Sequence, residues 1–399
     1  MKALLLENVH PCAIERFKRG GVEVVAESRG LDEHELLKAL DGVAILGIRS
    51  RTQISSSLLG KAPALQAVGA FCIGTNQVDL DAASLKGIAV FNAPYSNTRS
   101  VAELVIAEIV LLIRRLYDKI VLAHQSVWDK SSENAREVRG KKLGIIGFGN
   151  IGSQVSTLAE SMGMDVYYYD VVDKLSIGNA TRVSSLPELL KIADVITIHV
   201  DGNPANKNLI DEEEFKLMPD GVFLLNLSRG HVVNVDALAR HLKSGKVAGA
   251  AVDVFPLEPK ESGDPFSSPL QGLPNVLLTP HIGGSTEEAQ ENIAEFVSSK
   301  LLDYLQTGST FTSVNFPRIN LPKPDDPHTH RLLHVHRNVP GVLSQINGIF
   351  AKNNVNVISQ YLRTSELIGY AIADVDREYK DSLFDDLVRV DHTIRVRIV

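Results

Sequence analysis

Short apolar runs recur along the first quarter of the chain, at residues 3–6, 22–25, 43–46, 66–68 and 88–91. Each reads as a strand, and the stretches between them read as helices. This alternation predicts a parallel sheet with helices on its faces. Residues 100–116 repeat Val101, Leu104, Val105, Ile109, Leu112 and Ile113 near helical spacing, with Thr98 or Ser100 as the cap. From residue 143 the alternation returns, with strands at 143–147, 165–170, 195–199, 222–226, 249–253 and 276–278. Six strands suit a second, complete doubly wound sheet. A long helix over 285–306, Glu-rich early and carrying Lys300 late, leads the chain back to the first unit. That unit is then discontinuous. Residues 317–327 hold four prolines and read as a semi-rigid linker. The tail follows the order βαββαβ: strand 332–336, helix 341–353, strands 355–362 and 369–375, helix 380–390 and strand 393–399.

The bulk numbers narrow the partners. A length of 399 residues suits two or three domains, and 44% apolar content is ample for packed cores. A net charge of −7 offers no electrostatic case for nucleic acid or an anionic membrane. Cys12 and Cys72 are far apart, so neither a disulfide framework nor a cysteine-rich metal site is expected. The N-terminal apolar run is short and broken by Glu7, unlike a signal peptide. A cytoplasmic protein without a metal is the expectation.

The strand at 143–147 opens into Gly147, Gly149 and Gly152, spaced G-x-G-x-x-G, and residues 153–162 read as the helix that follows. Asp170 ends the next strand, 18 residues past the last glycine. Strand, turn, helix and acid at these offsets form a dinucleotide-binding fingerprint. Gly147 permits the turn, Gly149 lets backbone N–H groups near the pyrophosphate, and Gly152 lets helix and strand pack. The helix N-terminus offers unpaired donors and a positive dipole end to the phosphates, and Asn150 and Ile151 in the turn before it are further cofactor candidates. Asp170 suits ribose hydroxyls and repels a 2′-phosphate, so NAD is expected rather than NADP.

Three further motifs sit where strands of this second sheet end. Arg229, between Ser228 and Gly230, suits bidentate capture of a carboxylate, or equally a structural salt bridge. Asp253 ends a strand, and Glu258 follows in a proline-braced loop where a lone glutamate is usually only solvated. His281 lies between Pro280 and the pair Gly283 and Gly284, and a lone histidine is more often structural. Together they make a coherent set: His281 as general acid/base, Glu258 holding its other ring nitrogen, and Arg229 clamping a 2-hydroxy-acid carboxylate.

The order of fingerprint, Arg229, Glu258 and His281 resembles the D-2-hydroxyacid dehydrogenase family over residues 1–310. Residues 71–79, 92–100 and 279–285, with the βαββαβ tail, resemble the branch that adds a C-terminal ACT domain, so the likeness covers essentially the whole chain. The resemblance implies an α/β fold: two Rossmann-like or flavodoxin-like parallel-sheet domains with a cleft between, plus a ferredoxin-like ACT domain. It implies a substrate domain at 1–97 and 285–316, an NAD domain at 98–284, a linker at 317–330 and the ACT domain at 331–399. His199, Leu227, Ser228, Asp253, Gly283 and Gly284 would join the cofactor site. Leu227 departs from the small residue usual in the family and would narrow the nicotinamide side. Arg49, Ser50 and Arg51 would bind a substrate phosphate, and Ile73, Gly74, Asn97 and Lys130 the remainder. Trp128 and Lys130 match a segment that reaches an adjacent subunit, and Arg29 is a candidate for a further basic position.

The implied reaction is NAD-dependent oxidation of D-3-phosphoglycerate to 3-phosphohydroxypyruvate, with 2-oxoglutarate reduction as a side activity. His336, Asn338 and Asn356 would bind L-serine as a feedback effector across a dimer of ACT sheets, in a homotetramer. Two alternatives stay open: a dehydrogenase of glycerate or glyoxylate, which would leave the arginine pair without a purpose, and a non-catalytic, NAD-sensing corepressor.

Overall fold

The computed structural model describes residues 1–259, 263–324, 326, 328–376 and 381–399. Asp325 and Pro327 of the expected linker, and Lys380 at the expected start of the last helix, lie outside the described residues. The chain forms two compact units, Met1–Ser96 with Gln290–Val399, and Asn97–Ala289.

The first unit opens with β1 (Lys2–Leu5), α1 (Pro11–Arg19), β2 (Glu23–Ala26), α2 (Glu33–Ala39), β3 (Val43–Ile48), α3 (Ser56–Gly60), β4 (Ala67–Ala70), α4 (Leu80–Leu85) and β5 (Ala89–Asn92). All pairs are parallel, in the order β2-β1-β3-β4-β5. The central strands β3 and β4 are buried along their length while edge strand β2 is largely exposed. Continuous apolar runs, rather than alternating ones, are what a sheet covered on both faces requires.

The second unit runs through α5 (Thr98–Ile113), α6 (Leu116–His124), β6 (Lys142–Ile146), α7 (Asn150–Ser161), β7 (Asp165–Tyr169), β8 (Thr181–Arg182), α8 (Leu186–Ile192), β9 (Val195–Ile198), α9 (Glu212–Leu217), β10 (Val222–Asn226), α10 (Val235–Lys243), β11 (Val247–Val252) and β12 (Val276–Leu278). Its sheet has the order β12-β11-β10-β9-β6-β7-β8. Seven strands replace the expected six, because β8 is a two-residue edge strand too short to leave a periodic signal. The helix expected over 100–116 ends early. Arg115 takes a left-handed φ of 50°, which breaks the chain into α5 and α6. Its N-cap position is held by Asn97, not Thr98 or Ser100, and the Ser100 hydroxyl pairs with that of Thr286 instead.

α11 (Glu287–Thr307) returns the chain to the first unit, where Ile293, Val297, Leu301 and Tyr304 share a core with Ala3, Phe17, Ile45 and Phe91. The tail then forms β13 (His330–Arg337), α12 (Val342–Lys352), β14 (Val357–Thr364), β15 (Ile368–Val375), α13 (Asp381–Val388) and β16 (Thr393–Ile398). They make an antiparallel sheet in the order β14-β15-β13-β16. Period-two alternation gives it two dry faces. Leu333, Val335, Tyr370 and Ile372 pack into the α11 core, whereas Leu332 and Ala373 sit under Val342, Ile346 and Phe350.

The described part of the proline-rich stretch is tied down. Proline carbonyls still accept hydrogen bonds: Pro317 from Thr310 Oγ1 at 2.6 Å, Pro322 from Arg331 Nη1 at 2.8 Å. Arg331 is buried and also donates to both oxygens of Asp374, at 2.6 and 2.9 Å. No helix among the described residues is long and apolar enough to cross a membrane.

Candidate active site

The fingerprint glycines divide into two kinds. A Cβ on Gly147, whose φ is 92°, would lie 2.7 Å from the His199 carbonyl oxygen, and one on Gly152 would lie 2.2 Å from that of Gly147. Those two glycines are demanded by the fold itself. A Cβ on Gly149 would meet nothing within 4 Å. The space above Gly149 is therefore not filled by the protein, and it lies at the N-terminus of α7, where no side chain caps the helix. Asn150 and Ile151 supply its first turn, whose N–H groups have no intrahelical acceptors. Asp170 closes the turn by accepting from Phe148 N–H at 2.8 Å and Val172 N–H at 2.8 Å. An open glycine cradle, uncapped helix donors and a fixed carboxylate fit a dinucleotide's pyrophosphate and ribose.

His199, just past β9, shares a hydrogen bond of 2.9 Å between Nε2 and Thr197 Oγ1, while its buried Nδ1 has no partner among the described residues. Burial lowers its pKa to about 3, so the ring stays neutral. Leu227 is buried in the apolar cluster beneath α5, with Val101 and Val105.

The structure brings Arg229, Glu258 and His281 together. His281 Nδ1 and Glu258 Oε2 are 2.8 Å apart, and Glu258 Oε1 accepts from Phe255 N–H at 3.0 Å. The carboxylate can only accept, so the ring proton sits on Nδ1 and Nε2 carries the lone pair. The Glu258 bond raises the His281 pKa against the effect of burial. Burial pushes Glu258 upward, but the bonds from His281 and Phe255 outweigh it and leave its pKa lowered. Each shift favours the charged form of its own group.

Two supports hold this set. A Cβ on Gly230 would lie 2.0 Å from the Phe255 backbone, so only glycine lets the Arg229 loop lie against the Glu258 loop. Arg229 Nη1 donates to the Ser228 carbonyl at 2.7 Å, and Asn226 Oδ1 accepts from Ser228 N–H and Oγ. The second support is Asp253, buried just past β11. It accepts from Thr279 Oγ1 at 2.6 Å and from Ile282 and Gly283 N–H at 2.8 Å each. These bonds pin the loop in which His281 takes a left-handed φ of 55°. Gly284 packs so closely on Asn97 that a Cβ there would lie 2.1 Å from Asn97 Nδ2.

In the first unit, Arg49, Ser50 and Arg51 follow β3, and among the described residues neither arginine forms an ion pair. Two side chains that the sequence reading missed hold this loop. Glu7 is buried and accepts from Arg51 N–H at 3.0 Å and Thr52 N–H at 2.8 Å. Gln77 Nε2 donates to the Arg49 carbonyl at 2.6 Å and approaches the Gly74 carbonyl at 3.3 Å, joining this loop to the Ile73–Gly74 turn. Glu7 also takes a left-handed φ of 62°. Neither residue carried a sequence signal, since both meet backbone groups that the fold alone brings to them. Arg29 is already engaged, in a bidentate pair with Glu35 at 2.9 Å for each bond.

The profile of the D-isomer specific 2-hydroxyacid dehydrogenase NAD-binding domain matches residues 106–283. D-3-phosphoglycerate dehydrogenase of Haemophilus influenzae is 50% identical across 100% of this chain and 97% of its own length. The chain belongs to the D-isomer specific 2-hydroxyacid dehydrogenase family. This dehydrogenase is an NAD-dependent oxidoreductase. Its residues 332–395 also match the AHAS small subunit-like ACT domain. Among solved structures, the TT0316 protein of Thermus thermophilus superposes with a TM-score of 0.71 at 31% identity, covering 79% of this chain and 100% of that one. D-lactate dehydrogenase of Aquifex aeolicus, complexed with NAD and lactic acid, gives 0.68 at 30% identity, covering 79% and 99%.

In the ACT domain of the dehydrogenase, His336 is buried on β13, its Nδ1 3.3 Å from that of His334. Asn338 donates to the Ser365 carbonyl at 2.8 Å. Asn356 lies at the other end of the sheet: His336 pairs with Gly369, whereas Val357 pairs with Val375. Within one chain the three expected effector residues are not brought together. Trp128 is 83% exposed and Lys130 Nζ lies 6.0 Å from its ring centroid, so the single tryptophan belongs to no core.

Proposed function

We propose that this dehydrogenase oxidises D-3-phosphoglycerate to 3-phosphohydroxypyruvate. The observation that carries the chemistry is the Glu258–His281 bond, which leaves His281 Nε2 available beside Arg229. Full-length likeness to the Haemophilus influenzae enzyme supports the substrate, as do two arginines on a loop held by Glu7 and Gln77.

In the oxidising direction, His281 Nε2 takes the proton of the substrate's C2 hydroxyl. Glu258 holds the ring and stabilises the resulting imidazolium. Arg229 binds the carboxylate and polarises the C2 oxygen. NAD, when bound, would supply the acceptor for the C2 hydride, so that loss of proton and hydride together would turn alcohol into ketone. Gly147, Gly149, Asn150, Ile151, Gly152 and Asp170 would hold the dinucleotide together with His199, Leu227, Ser228, Gly283 and Gly284, while Asp253 fixes the His281 loop. Arg49, Ser50 and Arg51 take the phosphate. Ile73, Gly74, Asn97 and Lys130 complete substrate binding. The working division is substrate domain 1–97 with 285–316, NAD domain 98–284, linker 317–330 and ACT domain 331–399.

L-serine is the inhibitor in this reading. His336 and Asn338 of one chain meet Asn356 of a second, which accounts for their separation within one sheet. The assembly is a cytoplasmic homotetramer, and 2-oxoglutarate is a weaker alternative substrate. The test is NADH oxidation with 3-phosphohydroxypyruvate, with and without L-serine. Fast turnover that serine blocks is expected. No turnover would overturn the substrate assignment, and turnover indifferent to serine would overturn the effector.

A further inference from the structure

A cavity of about 400 Å³ lies in the first unit, between the ends of α3 and α4 and the edge strand β16 of the ACT sheet. Its chemistry is one-sided. Lys86, Arg337 and Arg395 line it, no Asp or Glu does, and Pro63, Leu85 and Ile394 supply an apolar wall. Among the described residues none of the three cations forms an ion pair, in a chain whose net charge is −7. Arg395 is half-buried, and among the described residues its guanidinium donates only to the carbonyls of Leu65 and Pro63. Main-chain carbonyls fix its direction but carry no net charge to offset it. Burial accordingly lowers its pKa. Gly87, with a φ of 66°, is required here, since a Cβ would lie 2.8 Å from that of Arg395. The close approach that creates the cavity is thus built into the backbone.

We propose that this cavity is a second anion site, for a small phosphate-bearing molecule, separate from the substrate loop at Arg49 and Arg51. Three cations lining one cavity, two of them guanidiniums, suit a phosphate's oxygens. The volume exceeds that of one phosphate and the apolar wall accommodates an organic remainder. An occupant would fasten β13 and β16 to α3 and α4. Arg337 directly precedes Asn338, so the fastening falls beside the proposed effector end of the ACT sheet.

The test is calorimetric titration of the full-length chain, saturated with NADH, using inorganic phosphate and then glycerol 2-phosphate. Arg49→Ala with Arg51→Ala removes the substrate loop from the count. In that background one site per chain is expected. Adding Lys86→Gln with Arg337→Gln, both exposed and so harmless to folding, should weaken it at least tenfold and leave turnover of the otherwise wild-type enzyme unchanged. The remaining affinity should fall as salt is raised. Glycerol 2-phosphate binding more tightly than phosphate would assign a phosphorylated metabolite, and parity would assign free phosphate. No site in the Arg49→Ala, Arg51→Ala background, or a change below twofold on substituting Lys86 and Arg337, would overturn the proposal. Failure of the substrate-loop reading looks different: the wild-type count would survive loss of Arg49 and Arg51, while Lys86 and Arg337 would still govern one site.

Discussion

Replacing Glu258 with glutamine isolates what its charge does to His281. The bond is 2.8 Å long, and the two side chains are 50% and 35% exposed for His281 and Glu258. A hydrogen bond to a charged group is worth about 1.5–3 kcal/mol when well shielded. Exposure at this level brings the figure toward the lower end. About 1.4 kcal/mol corresponds to tenfold in rate, so kcat should fall about tenfold. Removing the imidazole itself, in His281→Ala, should cost about 10²–10⁴. The pH profile is the sharper readout. His281 must be neutral to accept a proton in oxidation and protonated to donate one in reduction. Glu258 raises its pKa, so the rising limb for oxidation and the falling limb for reduction both lie above the ordinary imidazole range. In Glu258→Gln both limbs should move together toward acid. Initial rates in both directions across the neutral range measure this. Limbs that stay in place, with kcat within twofold of wild type, would refute the reasoning.

Three other outcomes follow from the geometry. Gly149→Ala should leave the melting temperature unchanged, because its Cβ meets open space, but weaken NAD binding about tenfold; Gly152→Ala should cost about 1–3 kcal/mol of stability through contact with the Gly147 carbonyl. Calorimetric melts and NAD titrations separate the two, and equal melting losses would contradict the division. Glu7→Gln puts an amide N–H₂ against a backbone donor, so KM for the phosphorylated substrate should rise about tenfold while kcat and the KM for 2-oxoglutarate change little. A parallel rise for both substrates would mean that Glu7 serves the fold generally. Glu108, buried on α5 with neither oxygen bonded among the described residues, has its pKa raised to about 8 by burial, then by the nearby Asp253. The unfolded chain ionises it from its ordinary value of 4.5, so between there and about 8 unfolding releases a proton and stability falls as pH rises. Glu108→Gln should therefore stabilise the protein at pH 8 relative to pH 5, by up to about 4 kcal/mol. An equal difference at both pH values would rule this out.

The strands and the glycine fingerprint were legible because their signals are local. Gly152 answers to a contact within one strand–turn–helix unit and Gly147 to its own left-handed φ as well as to the distant His199 carbonyl, and apolar runs report burial on both faces of a sheet. Local signals were weaker at the break between α5 and α6, since Arg115 enters the left-handed region without the glycine that usually announces it. They were absent for β8, which has two residues. Arg229, Glu258 and His281 were recognisable as separate motifs whose individual residues were ambiguous, and only their combination and family likeness singled them out.

The sequence by itself determined the two kinds of sheet, the order of elements and the residue types available for chemistry, because periodicity and glycine spacing are properties of neighbours along the chain. Tertiary structure alone decided which side chains hold them in place. Glu7 reaches the Arg51 N–H across 44 residues, Gln77 the Arg49 carbonyl across 28, and Asp253 the Ile282 N–H across 29. Their partners are backbone groups, which every residue carries alike, so no pattern of side chains marks them in advance. Only the folded chain selects which N–H or carbonyl a buried polar side chain will meet, and burial makes that meeting obligatory.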